Sequence, residues 1–217
     1  MIVALAGTGS GLFRTLLSVN LAVLRARSGR KICLIDTDPR ESAYTWSCER
    51  RAARQWPSIP GRAPSSRVLE HEIRELAPEY ADLLINTGGR DSQASLPALI
   101  AARIVVVPVT VDIDVDRDYP LIARLNSARM FYPALKVLFV VVTDGATPAA
   151  ERLAAVRLYA AHVISASLAA TVLHCMADAI TAAGAVSAMP RPATRRRLPN
   201  CIRCTAKSTS TSGRPFF

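Results

Sequence analysis

Short apolar runs alternate along this chain with longer stretches in which apolar residues return every three or four positions. The runs predict strands over 2–6 (Ile-Val-Ala-Leu-Ala), 31–36 (Lys-Ile-Cys-Leu-Ile-Asp), 82–86 (Asp-Leu-Leu-Ile-Asn), 103–109 and 136–142, with a weaker one over 162–166. Such continuous apolar runs suit strands covered by helices on both faces of a sheet. The intervening stretches predict helices over 14–28, 42–55, 67–77, 93–101, 115–130, 148–160 and 171–183. Segment 57–66, with Pro57, Pro60, Gly61 and Pro64, reads as a loop. Strands alternating with helices specify an α/β domain with a mainly parallel sheet flanked by helices.

In such a sheet ligands bind beyond the carboxyl ends of the strands, where loops lead into helix N-termini. Loops 7–14, 37–41, 87–92, 110–114 and 143–147 are therefore the places to look for chemistry. The first, Gly7-Thr8-Gly9-Ser10-Gly11-Leu12-Phe13-Arg14-Thr15, leads from the first strand into the first helix. A glycine-rich turn there exposes backbone N–H groups to an anion, and the helix dipole adds to the attraction. Phosphate is the natural ligand; a flexible connection without ligand is the bland alternative. Read as the dinucleotide fingerprint Gly-x-Gly-x-x-Gly, the loop uses Gly7 and Gly9, but the third glycine falls on Leu12. Asp36, ending the second strand, would then face a ribose of NAD(P).

Composition sharpens this picture in two ways. With 217 residues, half of them apolar and a fifth charged, the chain has enough material for one domain with a buried core and little for a second. Its formal charge of +10 is unevenly spread. Arg191, Arg195, Arg196, Arg197, Arg203, Lys207 and Arg214 lie in 190–217 without any acid, so the body is close to neutral and the basic character belongs to a tail. No apolar run reaches the roughly 18 residues of a membrane span. The start lacks the basic region of a signal peptide, so a cytoplasmic location is expected. Five cysteines, odd in number and scattered, fit reduced thiols better than a disulfide framework. Cys201 and Cys204 have half-zinc spacing but no second pair.

The flanks of the glycine loop carry a more specific signal. Met1-Ile2-Val3-Ala4-Leu5-Ala6, Leu17-Ser18-Val19-Asn20-Leu21-Ala22, Ser28-Gly29-Arg30-Lys31 and Leu34-Ile35-Asp36-Thr37-Asp38-Pro39 come in order, followed by Ser42 and Trp46. Tyr80-Ala81-Asp82-Leu83-Leu84-Ile85 then leads to Thr87-Gly88-Gly89-Arg90-Asp91-Ser92, and Val107-Pro108-Val109 follows. Over residues 1–189 these segments resemble the ParA/MinD family of deviant Walker A P-loop ATPases, of the chromosome- and plasmid-partitioning type. The resemblance implies a single-domain P-loop NTPase-like fold of the SIMIBI class. It also implies ATP and Mg²⁺ as cofactors, an ATP-bound homodimer, a ParB-like centromere-binding partner, non-specific DNA contact and no membrane partner.

Matched to that family's Lys-Gly-Gly-x-Gly-Lys-Thr-Thr loop, the sequence departs from it at several positions. Gly9 stands where the family has its signature lysine, and Phe13 replaces the last glycine, where a benzyl group would obstruct the pocket. Arg14 occupies the P-loop lysine position, keeping the charge in a wider planar fork. Ser10 and Gly11 complete the loop, and Thr15 matches the Mg²⁺-binding hydroxyl. Asn86 replaces the Walker B aspartate and loses its negative charge. Asp38 matches the carboxylate that positions the attacking water, or it caps a turn before Pro39. Thr143 and Asp144 lie where relatives often place Asn-Arg beside the adenine. The resemblance thus assigns catalysis to Asp38, nucleotide contacts to Gly9, Ser10, Gly11, Arg14, Thr15, Thr143 and Asp144, and metal contacts to Thr15, Asp38 and Asn86. It implies a partitioning protein whose hydrolysis is impaired or lost, or a non-catalytic pseudo-ATPase or decayed protein of the same fold.

Other polar groups have plainer readings. Asp112, Asp114, Asp116 and Asp118 alternate around the start of a helix and suit capping and solvation. His71, His162 and His174 lack partners at metal spacing. The tail from about 190 breaks the helical pattern that relatives continue. Moving the frame back by one base over Pro199 to Lys207 permits Glu-Leu-His-Ser-Leu-Tyr-Gly-Glu-Val, so a disordered or frameshift-derived tail is expected there.

Overall fold

The computed structural model describes residues 1–7, 9, 11–89, 95–143, 145, 147–175 and 202–205. Apolar residues at alternating positions of Ile2–Leu5 (β1) serve both faces of the sheet. Val3 and Leu5 join one core with Leu16, Leu17 and Ala22 of the helix Gly11–Arg27 (α1). Ala4 joins the opposite core. That core is filled from Leu69–Leu76 (α3), Ser95–Ala101 (α4) and Val115–Phe131 (α5), with Leu69, Leu99 and Leu125 fully buried. Ser42–Ala52 (α2) and Ala150–Ala160 (α6) complete the helices among the described residues. α1 ends at Gly29, whose φ of +81° allows its N–H to reach the Ala26 carbonyl while Arg30 N–H reaches that of Arg25.

The remaining strands are Ile32–Asp36 (β2), Gly61–Arg62 (β3), Asp82–Asn86 (β4), Ile104–Val109 (β5), Lys136–Thr143 (β6), Ala166–Leu168 (β7), Val172–Cys175 (β8) and Ile202–Thr205 (β9). They lie in the order β3-β2-β4-β1-β5-β6-β8-β9, with β7 also on β6. Every pairing is parallel except β8 with β9. The α/β class and the mainly parallel sheet expected from the sequence are therefore present. β1 sits between β4 and β5 and sends its helix to one face, while β5 sends α5 to the other. Adjacent strands whose connections leave in opposite directions open a crevice at their carboxyl ends.

Three expectations are corrected. The helix expected over 171–183 begins instead as β8, whose Leu173 pairs with Val142; residues 176–183 lie outside those described. β6 extends beyond β7, leaving its carboxyl half free to pair, and Thr171-Val172-Leu173 is β-branched enough to take that edge. The weak strand over 162–166 starts later, at Ala166. His162 and Val163 instead close α6 by N–H bonds to the Tyr159 and Ala160 carbonyls. Within the expected loop 57–66, Gly61–Arg62 pairs with Leu34 and Ile35 of β2. Gly61 lies so close to α2 that a Cβ there would stand 2.6 Å from Ser47 Oγ. Of the stretch 190–217, only β9 lies among the described residues.

Candidate functional site

The crevice beyond β1 is filled from within. Arg14, in the first turn of α1, is 2% exposed and turns its guanidinium back under the glycine loop. Nε donates to the Thr87 carbonyl at 3.2 Å, and Nη1 donates to the carbonyls of Gly7 at 2.7 Å and Gly9 at 3.2 Å. Nη2 faces Asp38 Oδ2 at 3.6 Å. A cation at a helix N-terminus opposes the helix dipole. Three carbonyls and one carboxylate offset that, while burial holds the guanidinium below its ordinary pKa against the pull of Asp38.

A second polar cluster lies next to it, at the carboxyl ends of β2 and β4. Asp36 is buried, with Oδ2 accepting the N–H groups of Ala43 and Tyr44 and Oδ1 accepting the Asp38 N–H and Asn86 Nδ2. Asp36 thereby caps α2, whose preceding residue Glu41 is left-handed and supplies no side-chain cap. Burial raises the Asp36 pKa, and the four donated hydrogen bonds act in the opposite sense. The contact with Asp36 fixes which end of the Asn86 amide is nitrogen. Asn86 Oδ1 is then a fully buried acceptor without a donor. With both its oxygens engaged inside the fold, Asp36 turns no free face to a ribose.

The structure gathers some of the expected site residues and separates others. Gly9, Gly11, Arg14 and Asp38 converge: a Cβ on Gly11 would lie 3.2 Å from Asp38 Oδ2 and 3.4 Å from Arg14 Nη2. Asp38 also accepts the Arg40 N–H at 3.0 Å, so the turn reading holds for this carboxylate as well. Thr15 is half-buried in the same helical turn. Thr143 ends β6, with β5 between it and β1, and its hydroxyl accepts the Gly145 N–H. Ser10 and Asp144 lie outside the described residues. Phe13 packs against the α1-side core and lines, with Gly7, Gly9 and Arg14, a cavity of about 350 Å³ that extends toward Ile113 and Asp118.

Thr87, in the loop after β4, is the third carbonyl partner of Arg14, a role that the sequence did not indicate. Its own hydroxyl is bound to the Leu5 carbonyl at 2.8 Å, which ties the loop after β4 to β1. Asp114 caps α5 through the Arg117 N–H, as expected, whereas Asp118 is buried and paired with Arg117 rather than solvated. His174 was also unforeseen at this end of the sheet. Its ring nitrogens lie 3.2 Å from the Gly145 carbonyl and 3.5 Å from Thr147 Oγ1.

A Mg²⁺-nucleotide does not fit this cradle as it stands. The guanidinium occupies the space under the loop, Asp38 adds negative charge beside it, and no lysine is present at position 9. A Cβ on Gly9 would meet nothing within 4 Å, so the missing side chain is a chemical loss rather than a steric exclusion. Among the described residues, the orphaned Asn86 Oδ1 invites a donor such as a metal-bound water.

No protein-family model and no curated protein sequence matches the chain. Solved structures do. Apo McdA from Cyanthece superposes with a TM-score of 0.58 at 13% identity, over 77% of this chain and 83% of McdA. A plasmid partition protein from Borrelia burgdorferi gives 0.55 at 12% identity, over 85% and 95% of the two chains. Cobyrinic acid a,c-diamide synthase from Mycobacterium smegmatis, solved with ADP and magnesium, gives 0.59 at 18% identity, over 72% and 80%. Together with the strand order and the glycine loop between β1 and α1, these likenesses establish that the chain has the ParA/MinD-like P-loop ATPase fold.

Proposed function

We propose that the chain is a ParA-like partitioning protein that has lost ATP hydrolysis and works through binding: self-association, a ParB-like centromere-binding partner and non-specific DNA. The observation that carries this reading is Arg14, seated among loop carbonyls on a partition-type sheet where a nucleotide-dependent relative needs a phosphate-facing cation. The substitutions Gly9 and Asn86 support it, since each removes a charge that phosphoryl transfer uses at those positions. The surrounding packing is intact, with Leu5, Ile35 and Ile85 buried behind the altered loops, which supports a fold kept independently of its chemistry.

Phosphate release under steady-state Mg²⁺-ATP tests the reading. Native chain and Asp38→Ala should both stay at the level of buffer alone. Turnover by the native chain that Asp38→Ala abolishes would overturn it.

A further inference from the structure

We infer that Arg14 is the resident occupant of the glycine loop: the chain closes its own phosphate cradle with a guanidinium and thereby holds three loops in one arrangement without nucleotide. The inference rests on reading loop 7–15 as a P-loop-derived cradle, but not on whether the protein hydrolyses ATP.

Three of the guanidinium's five N–H donors are used by main-chain carbonyls, and those carbonyls come from two different loops. Gly7 and Gly9 belong to the turn after β1, whereas Thr87 follows β4. The fourth contact, Asp38 at 3.6 Å, brings in the turn after β2. One side chain therefore spans the carboxyl ends of β1, β2 and β4, which are three neighbouring strands in the order β2-β4-β1. Only a planar fork can reach carbonyls on both sides and a carboxylate at once; an ammonium is a single point with a shorter reach. The aliphatic stem runs along Gly7, where a Cβ would lie 3.5–3.7 Å from Arg14 Nη1, Cδ and Cγ, at ordinary contact distance.

A phosphate entering the cradle would have to draw the guanidinium away from these partners. Thr87 is 1% exposed, so its carbonyl would lose a donor that water does not readily replace. Competition of this kind makes Arg14 an internal competitor of polyphosphate. The second sign of closure is Asp38, held at the cradle's edge by the Arg40 N–H and within reach of Arg14, where it repels an incoming anion.

Calorimetric titration of the full chain with Mg²⁺-ATP, combined with amide hydrogen exchange, tests this directly. Arg14→Lys keeps the charge but gives up the fork, and should bind Mg²⁺-ATP at least tenfold more tightly than the native chain. Without nucleotide, its amides over 7–14 and 87–89 should exchange at least tenfold faster than those of the native chain. Equal or tighter binding by the native chain, or loop exchange unaltered by Arg14→Lys, would overturn the inference. Hydrolysis by the native chain would remove the proposed function without touching this result, so the two failures are distinguishable.

Discussion

The two ends of β4 treat buried charge in opposite ways. At the amino end Asp82, 1% exposed, receives Nε of Arg25 and Nε of Arg30 at 2.8 Å each, and Arg30 Nη2 adds a contact of 3.0 Å. Burial would raise the pKa of this carboxyl, but the hydrogen bonds from Arg30 and Arg25 outweigh it and the net value lies below the ordinary range. Four residues on, Asn86 carries no charge and leaves one acceptor unpartnered, while the nearby Arg14–Asp38 pair is longer and shares its donors with carbonyls. The amino end is saturated and serves stability. The carboxyl end keeps unspent polarity in the Asn86 Oδ1 acceptor.

Substitutions along the strand can break or sharpen that contrast. The largest effect should come from Ile85→Ala, at a fully buried position between the two ends. It should cost roughly 3 kcal/mol in chemical denaturation and weaken both ends together. Asp82→Asn should cost about 2 kcal/mol, less than a fully buried pair, because Arg30 reaches solvent. A carboxyl depressed in the folded state stabilises above its unfolded pKa and loses that stabilisation as pH falls through the folded value. The native and Asp82→Asn melting curves should therefore separate at neutral pH and converge below about pH 4. A gap that persists under acid would place the stabilisation elsewhere.

Asn86→Asp should cost about as much as Asp82→Asn at neutral pH, about 2 kcal/mol, with the opposite pH dependence. It sets a second carboxylate about 3.0 Å from Asp36 Oδ1, whose pKa burial already raises. Acids with raised folded pKa values stabilise at low pH and lose that contribution as pH rises, so the deficit should shrink on going from pH 7 to pH 5. Melting temperatures across that interval check it; a deficit independent of pH would mean that the two groups do not share a proton.

Much of this architecture was readable from the pattern of apolar positions, because a strand buried on both faces admits few polar residues. The run 82–86 is a clear case: it coincides with β4 because Tyr80-Ala81 before it and the Thr87-Gly88-Gly89 turn after it confine the apolar stretch. Val172–Cys175 was misread because an alanine-rich sequence follows it, and local pattern could not show that the carboxyl half of β6 had a free edge. At the site, the sequence revealed which groups were exchanged but not where they went. Arg14 reads as a substitute for a phosphate-facing lysine. Its inward turn depends on carbonyls of Gly9 and Thr87, separated from it by 5 and 73 residues, which only the assembled sheet brings together. Asp36 is similar: its role as the cap of α2 follows from the unsuitability of Glu41 for that task, a fact of backbone geometry rather than of residue type.

Arg14 beneath the glycine loop also bears on how such a protein responds to metabolism. A domain ordered by a free ligand gains stability with the logarithm of that ligand's concentration, and so reports the nucleotide pool around it. A guanidinium joined to the same helix has a local concentration set by covalent geometry and cannot be diluted. If Arg14 closes the loop in this way, the arrangement of the three loops is set by the chain itself and should not follow the nucleotide concentration around it.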